Sequence, residues 1–172
     1  MYLYMMVHPG KKLNFMGSEI GQLREWDEKR EQDWMLRKFP AHDSFYHYMQ
    51  ELNHLYLSHS ALWEWDYQEG GFQWLDCHQE GRCIYAIERR SSGERLAALF
   101  NFGSKKQSGY TVALPNATGV VPLLYSDWEP FGGITPVAEM VCSLKEDQLI
   151  CTLQPFSAIL LGVREEVPPA RQ

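Results

Sequence analysis

From Gly70 to Val163 the chain is divided into short apolar or alternating runs at 72–77, 82–90, 96–102, 110–114, 120–125, 137–144, 149–153 and 157–163. Turn sequences stand between them: Ser91-Ser92-Gly93-Glu94, Gly103-Ser104, Asn116 to Gly119, Gly132-Gly133 and Glu146-Asp147-Gln148. Runs this short cannot be core helices, and each buries too little apolar surface to stand alone. Their regular spacing predicts an antiparallel β-sandwich.

The first seventy residues follow other rules. Met1 to His8 reads as the end of an apolar helix that Pro9-Gly10 stops, an abrupt opening expected of a piece of a longer protein. Leu13-Asn14-Phe15-Met16, closed by Gly17, suits a strand at 12–16 buried on both faces of a parallel sheet. Residues 18–34 then become charged and aperiodic, with Glu19, Glu25, Asp27 and Asp33 among them, which predicts a surface loop. Trp26 and Trp34 set it apart from an ordinary solvated loop, since indoles in such a loop serve packing or a ligand. Asp43 or Ser44 can cap a helix to about His59, with Phe45, Tyr48, Met49, Leu52, Leu55 and Tyr56 at helical spacing.

Composition removes several function classes. The net charge is −6 with no basic stripe, so neither nucleic acid nor an anionic membrane is expected as partner. No apolar run approaches the length of a membrane span, and the amino terminus has no secretory signal, so the expected location is cytoplasmic. The six histidines show no ligand spacing, and no metal site is expected. Cys77, Cys83, Cys142 and Cys151 lie in or beside apolar runs and are expected as buried thiols.

The run His8-Pro-Gly-Lys-Lys-Leu-x-Phe-Met-Gly-x-Glu, with Arg24-Glu25-Trp26 and Asp33-Trp34, resembles the last barrel strand of 1,4-α-glucan branching enzymes of the α-amylase superfamily. The resemblance continues through Ala61-Leu62-Trp63-Glu64-x-Asp66, Gly71-Phe72-x-Trp74, Asn101-Phe102, Gly132-Gly133 and Leu153-x-Pro155-x-Ser157-Ala158. It implies that residues 1–62 are the end of a catalytic (β/α)₈ barrel, 63–165 an all-β C-terminal domain and 166–172 a disordered tail. A whole barrel needs about 250 residues, so the chain would hold only its last βα unit. The helix from 43 would pack on the first and seventh barrel helices, which would leave Phe15, Phe45, Met49 and Tyr56 without their cover here.

Retaining transfer of an α-glucan needs two carboxylates about 5 to 5.5 Å apart. The resemblance places the nucleophile, the acid/base and a third, stabilising carboxylate before Met1. No catalytic residue is therefore expected in this chain, and no cofactor in the reaction. It leaves Gly17 and Glu19 bordering the site, with Trp26, Asp33 and Trp34 as candidates for substrate contact or support, although loop anchoring explains them as well. Ser18 stands where the family most often has Asn. In the β-region, alternation puts Trp74 in the core, while Trp128, between Asp127 and Glu129, is the candidate for an exposed glucan contact. An α-glucan and the upstream barrel are the implied partners. A stand-alone binding sandwich and a piece of another enzyme of the superfamily remain alternatives, and the strand at 12–16 is the feature against the first.

Overall fold

The computed structural model describes residues 1–165, except the side chains of Gln79 and Glu80; the expected disordered tail at 166–172 lies outside the described residues. The fold is mainly β. Two helices, α1 (Tyr2–Val7) and α2 (Pro40–Ser58), precede eight strands. These are β1 (Phe72–Gln79), β2 (Ile84–Arg90), β3 (Arg95–Asn101), β4 (Gln107–Ala113), β5 (Ala117–Tyr125), β6 (Cys142–Lys145), β7 (Gln148–Leu153) and β8 (Ala158–Glu165). They form a five-stranded sheet, β1-β2-β3-β8-β5, and a three-stranded sheet, β4-β7-β6, antiparallel throughout.

Every residue of β3 is buried because both faces of the larger sheet are covered. Leu96, Ala98 and Phe100 share a core with Leu160 and with Leu3, Met49 and Leu52 of the helices. The alternate residues Ala97 and Leu99 join Ile159, Leu161 and Tyr110 between the two sheets. A strand sandwiched in this way loses its polar alternation and reads as a continuous apolar run. Pro122 interrupts the donors of β5, which is tolerable because β5 is an edge strand.

Several expectations change. Residues 12–16 form no strand. A buried parallel strand needs a neighbour on each side, and no described strand pairs with this segment; Leu13, Phe15 and Met16 are instead exposed. The feature held against a stand-alone sandwich is thus absent in that form. Cys142 and Cys151 are not thiols but a disulfide, joining directly opposed residues of β6 and β7. Cys77 is half-buried and Cys83 exposed. Cys83 also has φ 52°, so β2 starts at Ile84, two residues later than the run expected from 82.

Helix α2 starts at Pro40, where a missing N–H costs nothing, rather than at Asp43 or Ser44. It does not lie bare. Tyr48, Met49 and Leu52 are buried against α1 and the sheet, and Phe45 meets Tyr2 edge-on at 5.6 Å. Phe15 alone among the four residues expected to lack cover is strongly exposed.

Candidate functional site

The segment between the helices turns sharply at Gly17, whose φ of 88° suits glycine alone at little cost. A Cβ there would also come within 3.0 Å of Gln22, so the side chain of Gln22 packs directly on this backbone. Glu19 Oε2 accepts hydrogen bonds from the Gly17 N–H at 3.1 Å and from Asn14 Nδ2 at 3.3 Å. Glu19 thereby braces the turn internally.

Gln22 carries the turn into the loop. Its Oε1 accepts from the Asp33 N–H at 3.0 Å, and its Nε2 donates to the Arg24 carbonyl at 3.2 Å. Arg24 Nε in turn donates to Asp33 Oδ2 at 2.9 Å, closing residues 22–33 into a small ring. Asp27 accepts from the Lys29 N–H. His42 Nδ1 lies 2.7 Å from the Ile20 carbonyl, which only accepts, so Nδ1 carries the proton and ties the turn to α2. Arg37 binds Asp43 and stacks 3.9 Å above Tyr46, fastening the end of the loop to the same helix.

These links frame a hollow of about 570 Å³ lined by Tyr2, Phe15, Gly17, Gln22, Glu25, Trp26 and Phe45. Trp26 stands edge-on to Phe15 with centroids 6.3 Å apart and keeps a large open surface. Of the five candidates, Gly17 and Trp26 line the hollow. Glu19 and Asp33 brace its frame from behind, and Trp34 is exposed beyond it at the start of a 3₁₀ turn. The arrangement offers open indole faces and one carboxylate, Glu25, on the lining, while Glu19, Asp27 and Asp33 each serve a local partner. Such a surface can stack on pyranose rings; it carries no acid/base couple set against a nucleophile.

The indoles of the β-region are reversed from expectation. Trp128 is half-buried, wedged against both cores beside Phe131, and its Nε1 is buried without a hydrogen-bond partner among the described residues. Trp74 is exposed on edge strand β1, in a band of rings with Phe72 and Tyr85. A second hollow, about 660 Å³, lies over Leu96, Val121 and Leu123. Its polar walls are already engaged: Glu94 holds His59 and the Ala61 N–H, and Arg95 holds Glu88 and Glu165. Among the described residues no group of three or more His, Cys, Asp or Glu could hold a metal ion, and no helix is long and apolar enough to cross a membrane.

Residues 74–164 match the model of the alpha amylase, C-terminal all-beta domain. The chain is 35% identical over 170 residues to the 1,4-alpha-glucan branching enzyme GlgB of Nitrosomonas eutropha, covering 94% of this chain and 23% of that protein. The chain belongs to the family of the alpha amylase, C-terminal all-beta domain. The GlgB of Oceanobacillus iheyensis is 36% identical over 141 residues, which is 81% of this chain and 22% of that one. The chain thus spans under a quarter of the length of these curated relatives. A debranching enzyme from Nostoc punctiforme has the same fold over 93% of this chain and 29% of its own, with TM-score 0.61 and 16% identity. The similarity to the Nitrosomonas eutropha protein spans both the Gly17 turn and the sandwich, which the alternating strand pattern alone could not connect.

What sequence reasoning missed is the buried polar contact between the two halves. Arg89, fully buried in β2, donates through Nε to the Gly71 carbonyl at 2.9 Å, through Nη1 to the Val7 carbonyl and through Nη2 to Asp66. Asp66 Oδ2 accepts from the Gly10 N–H at 3.2 Å. Gly71 must be glycine, because a Cβ would sit 2.1 Å from the Trp65 carbonyl oxygen. The visible signal was the Glu88-Arg89-Arg90 triplet that ends an otherwise mostly apolar strand.

Proposed function

We propose that this chain is the C-terminal part of a glycogen branching enzyme, in which residues 1–62 end the catalytic barrel and 63–165 form the all-β domain. The whole enzyme cuts an α-1,4-glucan and rejoins the segment through an α-1,6 bond, using carboxylates upstream of this chain and no cofactor. The observation that carries this reading is the identity to branching enzymes over 170 residues, which includes the loop as well as the sandwich. In that setting Gly17 and Glu19 shape the border of the glucan site, Arg24–Asp33 holds the loop, and Trp26 and Trp34 offer faces to sugar rings. The upstream barrel packs over Leu13, Phe15 and Met16. The enzyme works in the cytoplasm.

The test is incubation of amylose with the intact protein and with this chain alone. The intact protein should abolish the long-chain iodine colour and create α-1,6 linkages detectable by NMR. The 172-residue chain should do neither. New reducing ends without α-1,6 linkages would assign the intact protein to a hydrolase of the superfamily instead, and branching by the chain alone would overturn the assignment of catalysis to upstream residues.

A further inference from the structure

Buried charge at the junction of the two halves does more than hold the sandwich together. Arg89 sends each of its three guanidinium nitrogens to a different segment: the end of α1, the loop at Asp66 and the entry to β1. Asp66 divides its two oxygens between Arg89 and the backbone of Gly10, whose φ of 101° marks the point where the chain leaves α1. Lys12 continues the cluster. Its ammonium donates to the His8 carbonyl and sits 5.3 Å from the Tyr56 ring centroid. Burial lowers its pKa, opposed by the charge of Asp66 and aided by that of Arg89. These contacts fix the backbone at Val7, His8 and Gly10, and seven residues beyond Gly10 lies the Gly17 turn.

We propose that Arg89 and Asp66 form a clamp by which the β-domain positions the segment 8–17, and through it the border of the glucan site. This rests on the function proposed above. Arg89 and Asp66 are positioning residues, since neither lines the hollow at Trp26. The β-domain therefore acts on catalysis by setting the path of a loop rather than by touching glucan. An apolar junction would bury the same area, but only directional bonds to three carbonyl or carboxylate groups specify one orientation of the departing chain.

Asp66→Asn is the discriminating substitution. It preserves shape, but its single oxygen cannot serve both Arg89 and the Gly10 N–H, which bind different carboxylate oxygens. In the 172-residue chain, at a temperature where both proteins remain folded, trypsin cleavage after Lys11 and Lys12 should quicken on the order of tenfold as the segment loosens. Unchanged cleavage would overturn the clamp. Arg89→Lys, which keeps the charge but loses the fork of donors, should behave alike and guards against an effect peculiar to Asn. In the intact enzyme Asp66→Asn should lower kcat on the order of tenfold while KM moves less than about threefold. A fall in kcat matched by loss of folded protein, or wild-type kinetics, would overturn the positioning role. Absence of branching by the wild-type enzyme would sink the functional reading instead, and the cleavage result would then decide the clamp by itself.

Discussion

Between His8 and Phe39 only Gly17 and Ile20 are buried, whereas all seven residues of β3 are. The loop between α1 and α2 is held together in another way. Its order comes from polar links in series, Glu19 to Gly17, Gln22 to Asp33, Asp33 to Arg24 and His42 to Ile20, each replaceable by water at small net cost. The strand is held by apolar burial on both faces, which water cannot replace. A site border built on the first plan can be re-aimed by a few side chains, and a scaffold built on the second cannot. The helices belong with the scaffold, because α1 and α2 bury their apolar faces on the sheet.

The largest effect expected from this difference is in the shared centre of the scaffold. Leu161, fully buried between the sheets, should cost about 2 to 5 kcal/mol when changed to Ala, by lost burial and by the cavity left behind. Thermal or denaturant unfolding reads this directly. A loss below about 1 kcal/mol would mean that the core refills and is not the rigid partner of the comparison.

A smaller effect is expected at the edge of the scaffold. The bond between Cys142 and Cys151 closes a loop with a sequence separation of 9 and pins β6, whose only described sheet neighbour is β7. Loop-closure entropy puts its contribution at roughly 2 to 3 kcal/mol. Unfolding with and without a dithiol reductant should differ by that amount, and Cys142→Ser should abolish the difference. Identical curves would show that β6 is held by strand pairing alone.

The two regions also differ in how far they could be read from sequence. All eight strands fall close to the periods that mark them, because in a sheet each side chain reports its own face. Exceptions arise where local geometry intervenes, as at Cys83, or where apolar residues such as Val137 and Met140 lie in an exposed connection. The pairing of Cys142 with Cys151 required the register of β6 on β7, which no composition rule supplies. Arg89 and Asp66 were hidden for the same reason: 23 residues separate them, and only the fold shows that the arginine points at the helix layer. At the loop, Glu19, Trp26 and Asp33 were named from sequence, but whether they face a ligand or one another was not legible. The strand expected at 12–16 failed because its pattern describes a residue's preference for burial, and burial needs neighbours.

That failure leads to the smallest expected effect. Leu13 and Phe15 are 82% and 61% exposed, so in this chain Leu13→Ser and Phe15→Ser remove little buried surface. Each should change stability by no more than about 0.5 kcal/mol, as surface substitutions do, while reducing self-association driven by the apolar patch. In the intact enzyme, where the proposed upstream barrel covers the segment, the same substitutions should cost several times more, since they would then place a hydroxyl in an apolar contact. Paired unfolding measurements on the two proteins decide the matter. A loss above about 1 kcal/mol in the short chain would show that residues 12–16 already have a partner there, and equal small effects in both proteins would show that no barrel closes over them.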